Sequence, residues 1–413
     1  MTFNPKLVKN GFRSRNANGL GRYRILYLAT EDWYFWTHRL PLALAMRNAG
    51  FEVFVMTKCE KYAEEMRKLG LHLIPWGVSR IHLNPARDLF ATLQVASVYW
   101  RLRPTVVHHV ALKPVVLGGL VASLFRIPSV DAVNGLGHTF GTDSRTMRAL
   151  RLAILLVCRI VLKRSKSLAI FQNTADRNVF VERGIVAADQ AVVIPGAGVD
   201  LQVFRPVARP TGQPIVLLAS RMLWEKGVGE FVQAADLLRA RGVGAKFVLA
   251  GRVDKEAAAA VPEWQLREWT SSGVVEWVGH REDISQLLSD ATVVVLPSYH
   301  EGMPKVLLEA AACGRPIVTT DCPGCRDVVD HGVNGFLVPP RDPRALADTI
   351  AVLLSNPELC RKMAAASREK AEREFGVDGV VRQTMQLYSK LVGEDLYLRT
   401  LTAAAPKASC ART

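Results

Sequence analysis

Thirteen short apolar runs recur along this chain between Ile25 and Val338, and their spacing leaves little choice of architecture. The first seven are Ile25 to Ala29, Val53 to Thr57, Leu73 to Trp76, Val106 to Val110, Ser129 to Val133, Leu168 to Gln172 and Val192 to Pro195. Helix-length stretches separate most of them, which is the rhythm of strands buried in a parallel sheet. A polar, proline-bearing segment from Gly196 to Pro214 interrupts the pattern and reads as a linker. It then restarts with Ile215 to Ala219, Phe247 to Ala250, Val275 to Val278, Val293 to Leu296, Ile317 to Thr320 and Phe336 to Val338. The pattern predicts two doubly wound, Rossmann-like α/β domains, over 22–200 and 201–392, with a ligand cleft between the carboxyl ends of their strands. A last helix, around Val377 to Leu391, is free to return to the first domain. Residues 1–21 read as a basic flexible arm and 393–413 as a tail.

The 413 residues suffice for two cores. The longest uncharged apolar run, Pro114 to Phe125, is too short to span a bilayer, and no apolar segment follows the basic start as in a signal peptide. A cytoplasmic location is expected. Seven scattered cysteines make no disulfide framework, and Cys322-Pro323-Gly324-Cys325 lacks the second pair of a zinc site. Charge is unevenly divided. Residues 1–200 hold 27 Lys+Arg against 13 Asp+Glu, a net +14, whereas 201–413 hold 26 against 25. One half therefore faces an anionic partner.

The segment Ser298-Tyr299-His300-Glu301-Gly302-Met303-Pro304 follows an apolar strand and leads into Lys305 to Ala310. Gly302 suits a tight turn, Pro304 a first helical turn, and Gly314 closes the helix. Glu301 then sits in the loop and Glu309 about a turn and a half into the helix, a spacing at which two carboxylates can hold two parts of one elongated polyol. The positive helix end between them favours an anion. The competing readings are a surface position for Glu309 and a capping role for Glu301. In Ser220-Arg221-Met222-Leu223-Trp224-Glu225-Lys226-Gly227, Arg221 leaves a strand end and Lys226 precedes a helix, so both cations can face the cleft and stabilise a departing diphosphate. Surface charges on a loop are the alternative.

Together Arg221, Lys226 and the Glu301 to Glu309 segment resemble the nucleotide-sugar site of retaining glycosyltransferases of the GT-B fold, family 4. The likeness runs from about Arg22 to Leu391. It implies that Glu301 contacts the donor sugar, Glu309 the ribose hydroxyls, and Arg221 and Lys226 the diphosphate, with the amides of Gly302 and Met303 as further donors. No Asp-x-Asp pair ends a strand, so no metal cofactor is expected and the cations and helix terminus replace it. Nor is a carboxylate nucleophile spaced for double displacement, which leaves departure and attack on one sugar face.

The first domain should hold the acceptor. Thr37-His38-Arg39-Leu40-Pro41 reads as a helix start with Thr37 as its cap, preceded by an aromatic loop, Thr30 to Trp36, where family members commonly carry paired glycines. That departure, with His108-His109-Val110-Ala111-Leu112-Lys113-Pro114 and Asn134-Gly135-Leu136-Gly137-His138, resembles bacterial enzymes acting on polyprenyl-diphosphate-linked sugars. Candidate acceptor contacts are His38, Lys113, Gly135, Gly137 and His138. His108 and His109 point to opposite faces of a strand, and His108 is preferred as the catalytic one, a satisfied structural histidine being the alternative.

Residues 145–166 contain no acid, and Arg145, Arg148, Arg159, Lys163 and Lys166 fall on one side of a helical wheel, opposite Leu150, Ile154, Val157 and Val161. This face either lies in water or docks on anionic lipid. The sequence thus predicts a hexosyltransferase, peripheral on the inner face of the plasma membrane. It moves a hexose or N-acetylhexosamine from a nucleotide sugar, UDP before GDP, to a lipid-linked saccharide. The alternatives are a GT-B enzyme with a soluble acceptor, a nucleotide-sugar epimerase, and a basic nucleic-acid-binding protein. The last lacks a recognisable binding motif, so no nucleic-acid partner is expected.

Overall fold

The computed structural model describes the backbone of residues 23–79, 84–134, 145–207, 212–254 and 257–393, and the side chains of all but 145–151 among them. All thirteen apolar runs are strands. β1 (Arg24–Glu31), β2 (Glu52–Lys58), β3 (His72–Pro75), β4 (Val106–Val110), β5 (Ser129–Val133), β6 (Ser167–Phe171) and β7 (Ala191–Val193) form one sheet in the order β3-β2-β1-β4-β5-β6-β7. β8 (Ile215–Ala219), β9 (Lys246–Ala250), β10 (Glu276–Trp277), β11 (Val293–Leu296), β12 (Ile317–Thr320) and β13 (Gly335–Val338) form a second, ordered β10-β9-β8-β11-β12-β13. Neighbours pair in parallel throughout, with β1 between β2 and β4 and β8 between β9 and β11. Both sheets reverse winding at their first strand, and such switch points open crevices at strand carboxyl ends.

Alternation along the strands sorts the first sheet's two faces. Tyr27 of β1 packs with Phe35, Leu42 and Met46 on one side, together with Val380, Met385 and Tyr388 of the helix Val377–Val392, which has returned from the far end of the chain. Leu26 and Leu28 pack on the other, against Ala91, Val95 and Tyr99 of the helix Pro85–Leu102 and Val121 and Ala122 of the helix Leu112–Leu124. The helix Arg145–Leu162 lies beside them, with Cys158, Val161 and Leu162 buried. Gly119 permits this close approach, since a Cβ there would stand 2.3 Å from a Val161 methyl.

Two expectations need correction. Thr37 does not cap a helix. The aromatic segment is itself helical, Asp32–His38, and Thr37 ends it with its hydroxyl donating back to the Trp33 carbonyl at 2.8 Å. Nor is the exposed side of Arg145–Leu162 a purely basic stripe. Val161 packs inward as expected, but Leu152, Leu156 and Ile160 are exposed alongside Arg159 and Lys163.

Candidate active site

Lys226 owes its position to a forced turn. Gly227 has φ +72°, and a Cβ there would lie 2.1 Å from the Pro297 carbonyl oxygen, so only glycine lets the Trp224–Lys226 turn press against the end of β11. The Glu225 carbonyl then accepts from the Tyr299 amide (3.0 Å) and the Ser298 hydroxyl (3.1 Å). These bonds bring Lys226 Nζ within 2.5 Å of Glu301 Oε1, both side chains largely buried. Beneath the loop Gly324, φ +81°, approaches the Glu301 and Gly302 carbonyls too closely for any side chain. Cys322 and Cys325 are buried around this turn.

Glu309 is buried in the helix Lys305–Ala312, not on its surface. Burial raises its pKa, and Lys305, with Nζ 3.3 Å from Glu309 Oε1, partly offsets the rise. Arg221 pairs with Asp254 at 2.8 Å. Of the expected donor residues the structure joins Lys226 to Glu301, with Gly302 and Met303 following in the same loop, while Arg221 and Glu309 are paired separately, with Asp254 and Lys305. Arg221 and Lys226 are thus each matched by a carboxylate.

The first domain closes on this loop. Asn173, just past β6, accepts from the Asp176 amide to cap the helix Thr174–Glu182, while its own amide donates to the Gly302 carbonyl at 2.8 Å. Lys305 donates to the Thr37 carbonyl at 3.0 Å, the Arg252 guanidinium lies 5.3 Å from the Trp33 ring centre, and His300 approaches Asp176 at 3.8 Å. Met303 packs beneath Gly196 in the connection between the domains.

The expected acceptor residues fare unevenly. His38 stacks on Tyr34, ring centres 4.1 Å apart, and burial, then the charges of Lys305 and Arg39, push its pKa down to about 3. It faces the donor loop as a neutral ring. Lys113 points into its own domain, held by Asp88 at 2.7 Å and the Ser79 carbonyl at 2.9 Å. His108 is wholly buried, its Nδ1 2.6 Å from the Tyr388 hydroxyl, and burial followed by the Arg39 charge holds its pKa well below the usual histidine range. This is the structural histidine of the alternative reading, because the returning C-terminal helix covers the strand face it points to. His109 is equally buried on the opposite face, between Tyr99 and Asp131. Gly135, Gly137 and His138 lie outside the described residues.

Four residues that were not named as site candidates, three of them inside segments already singled out, come together in the first domain. Tyr34, Asn134 and Gln172 stand at the carboxyl ends of β1, β5 and β6, and Arg39 reaches them from the junction of two helices. Asn134 links them, donating to the Tyr34 hydroxyl at 2.9 Å and accepting from Gln172 (3.2 Å) and Arg39 (3.4 Å). Asn134 and Gln172 each stand one residue past a strand end, whereas Tyr34 lies in the helix that follows β1 and Arg39 just after that helix.

Two facing parallel-sheet domains with a paired-carboxylate, paired-cation cleft define a GT-B glycosyltransferase, and comparison with known proteins agrees. Residues 24–173 match the glycosyl transferase 4-like family and residues 213–356 the glycosyl transferases group 1 family. The chain thus carries a domain of each of these two glycosyltransferase families and is a glycosyltransferase. It is 29% identical, over 89% of its length and 99% of the relative's, to N,N'-diacetylbacillosaminyl-diphospho-undecaprenol alpha-1,3-N-acetylgalactosaminyltransferase of Campylobacter jejuni. Its fold matches sucrose-phosphate synthase from Thermosynechococcus elongatus (TM-score 0.72, 23% identity, 90% of this chain and 99% of that one). It also matches Anabaena HepE in complex with UDP and glucose (TM-score 0.73, 20% identity, 90% and 100%).

Proposed function

We propose that this glycosyltransferase moves a hexose or N-acetylhexosamine, with retention, from a UDP-sugar to a saccharide linked through a diphosphate to a polyprenyl carrier. The observation that carries the donor half is the Lys226–Glu301 pair, with Glu309 buried eight residues beyond Glu301 and paired with Lys305, which bonds Thr37 of the other domain. Lys226 and Arg221 take the donor diphosphate, Glu309 the ribose and Glu301 the sugar. As the bond to the sugar breaks, negative charge grows on the departing diphosphate, and the two cations stabilise it without a metal. The same diphosphate oxygen, on the face that the acceptor approaches, accepts the acceptor's hydroxyl proton. Likeness to the Campylobacter enzyme, whose printed name specifies a diphospho-undecaprenol acceptor, supports the lipid-linked substrate.

Such an acceptor lies in a membrane, and the first domain carries a surface suited to one. Among the described residues sixteen large apolar side chains are exposed, and ten sit on three adjacent helices: Leu89, Phe90, Leu93 and Trp100, then Leu120, Leu124 and Phe125, then Leu152, Leu156 and Ile160. Residues 85–166 contain twelve basic residues and three acidic ones, of which Asp131 is buried. No described helix is long and apolar enough to cross a membrane. This face lies on anionic lipid at the cytoplasmic side of the membrane, each basic residue near the surface contributing about 1 kcal/mol.

A panel of UDP- and GDP-sugars, incubated with polyprenyl-diphosphate-linked monosaccharides and read by product mass, tests the reaction. A hexose or N-acetylhexosamine increment from a UDP donor is expected; transfer only to a soluble glycan, or epimerised free donor, refutes it. Vesicle pelleting with and without phosphatidylglycerol tests the face, where equal binding to both compositions counts against it.

A further inference from the structure

Among the described residues Arg39 is a buried cation without a carboxylate counterion. Only 5% of it is exposed, its Nη2 makes one long bond to Asn134, and its Nε is buried with no acceptor. No carboxylate pairs with it among the described residues. The groups that feel its charge are Tyr27, Tyr34, His38, His108 and Tyr388, all neutral phenols and imidazoles. Four other cations of the cleft and its rim pair with carboxylates, Arg221 with Asp254, Lys226 with Glu301, Lys305 with Glu309 and Lys113 with Asp88, while Arg252, which lies over Trp33, is exposed to solvent. An uncompensated buried charge costs several kcal/mol. It persists where a ligand supplies the opposite charge.

The place fits such a ligand. Arg39 meets Asn134 and, through it, Tyr34 and Gln172 at the carboxyl ends of the first sheet, and the Arg221 charge reaches Tyr34 from the second domain. Arg39 therefore stands on the acceptor wall, opposite the donor's cations. We infer that Arg39, with the amides of Asn134 and Gln172, binds a phosphoryl oxygen of the acceptor's diphosphate. This rests on the lipid-diphosphate reading above, and the planar guanidinium suits the task by offering several donors to one anionic group. It also gives the first domain the fixed cation that Lys113, turned inward to Asp88, does not provide.

The test compares wild type with Arg39→Met and Arg39→Lys. Removing an uncompensated buried charge should leave the ligand-free melting temperature of Arg39→Met unchanged or higher. In protein saturated with UDP, inorganic pyrophosphate should raise the wild-type melting temperature and leave that of Arg39→Met unmoved. With lipid-linked acceptor, Arg39→Met should raise the acceptor KM about tenfold or more while the UDP Kd stays within about twofold, and Arg39→Lys should recover part of the loss. A raised UDP Kd with an unchanged acceptor KM moves the bound phosphate to the donor and overturns the acceptor assignment. A lowered melting temperature, with pyrophosphate protection and both constants unchanged, makes Arg39 a structural guanidinium and overturns the inference. Pyrophosphate protection that needs Arg39, in a protein showing no transfer to any lipid-linked acceptor, refutes the lipid reading and leaves the phosphate site standing.

Discussion

Glu309→Gln isolates the proposed ribose contact. The carboxylate is buried, and its one ionic partner among the described residues, Lys305, keeps a second bond to the Thr37 carbonyl when the charge is removed. Because burial disfavours the ionised carboxylate, neutralising it should change folding stability by no more than about 1 kcal/mol. Binding should respond more. A hydrogen bond to a charged group is worth about 1.5–3 kcal/mol, so exchanging carboxylate for amide should weaken UDP by roughly 10- to 150-fold. Titration calorimetry with UDP and 2′-deoxy-UDP separates this from a general loss. Wild type should lose affinity for the deoxy ligand, and Glu309→Gln should bind the two nearly alike. Unchanged UDP affinity, or an equal penalty for the missing hydroxyl in both proteins, refutes the assignment.

Gly227→Ala should cost several kcal/mol of stability and weaken UDP, because its Cβ meets a backbone carbonyl, whereas Gly242→Ala, at a similar φ of +76° but in open space, should cost about 1 kcal/mol; urea unfolding of both checks the contrast. Acid should destabilise the protein through its buried histidines. The folded pKa of His108 is depressed, so stability is fully present above the unfolded value near 6.5, and below it the unfolded chain alone takes up the proton, removing up to about 1.4 kcal/mol per pH unit until the folded pKa is reached. His38 adds a similar loss down to about pH 3. Denaturation between pH 7.5 and 5 should show this slope, and His108→Gln, which keeps a partner for the Tyr388 hydroxyl, should flatten it. Leu93→Glu with Leu156→Glu should lower retention on phosphatidylglycerol vesicles while UDP affinity holds.

The sheets were legible because a strand buried on both faces advertises itself in four or five consecutive apolar residues. The placing of Glu301 in a loop and Glu309 in the helix after it was legible because both belong to one strand-to-helix segment, whereas their grouping with Arg221 and Lys226 rested on the family resemblance. The cluster of Tyr34, Arg39, Asn134 and Gln172 was not legible, since its members follow three separate strands and meet only through the order β1-β4-β5-β6. Lys113 misled for the same reason: its partner Asp88 sits on a different helix, and no local pattern ties the two together. His108 looked available until the helix Val377–Val392 crossed from the far end of the chain to cover it. The exposed Leu152 and Leu156 of Arg145–Leu162 escaped notice because they share the arc of the helical wheel that Arg145, Arg159 and Lys163 occupy, opposite the apolar face that was read.

The central claim is one reaction that needs both halves of the cleft. Its most direct measurement is UDP release from a UDP-sugar in anionic nanodiscs, with and without a polyprenyl-diphosphate-linked monosaccharide. Release that depends on the lipid-linked acceptor and falls about a hundredfold in Lys226→Met is predicted. Equal release without acceptor, or none with any lipid-linked saccharide, would contradict it.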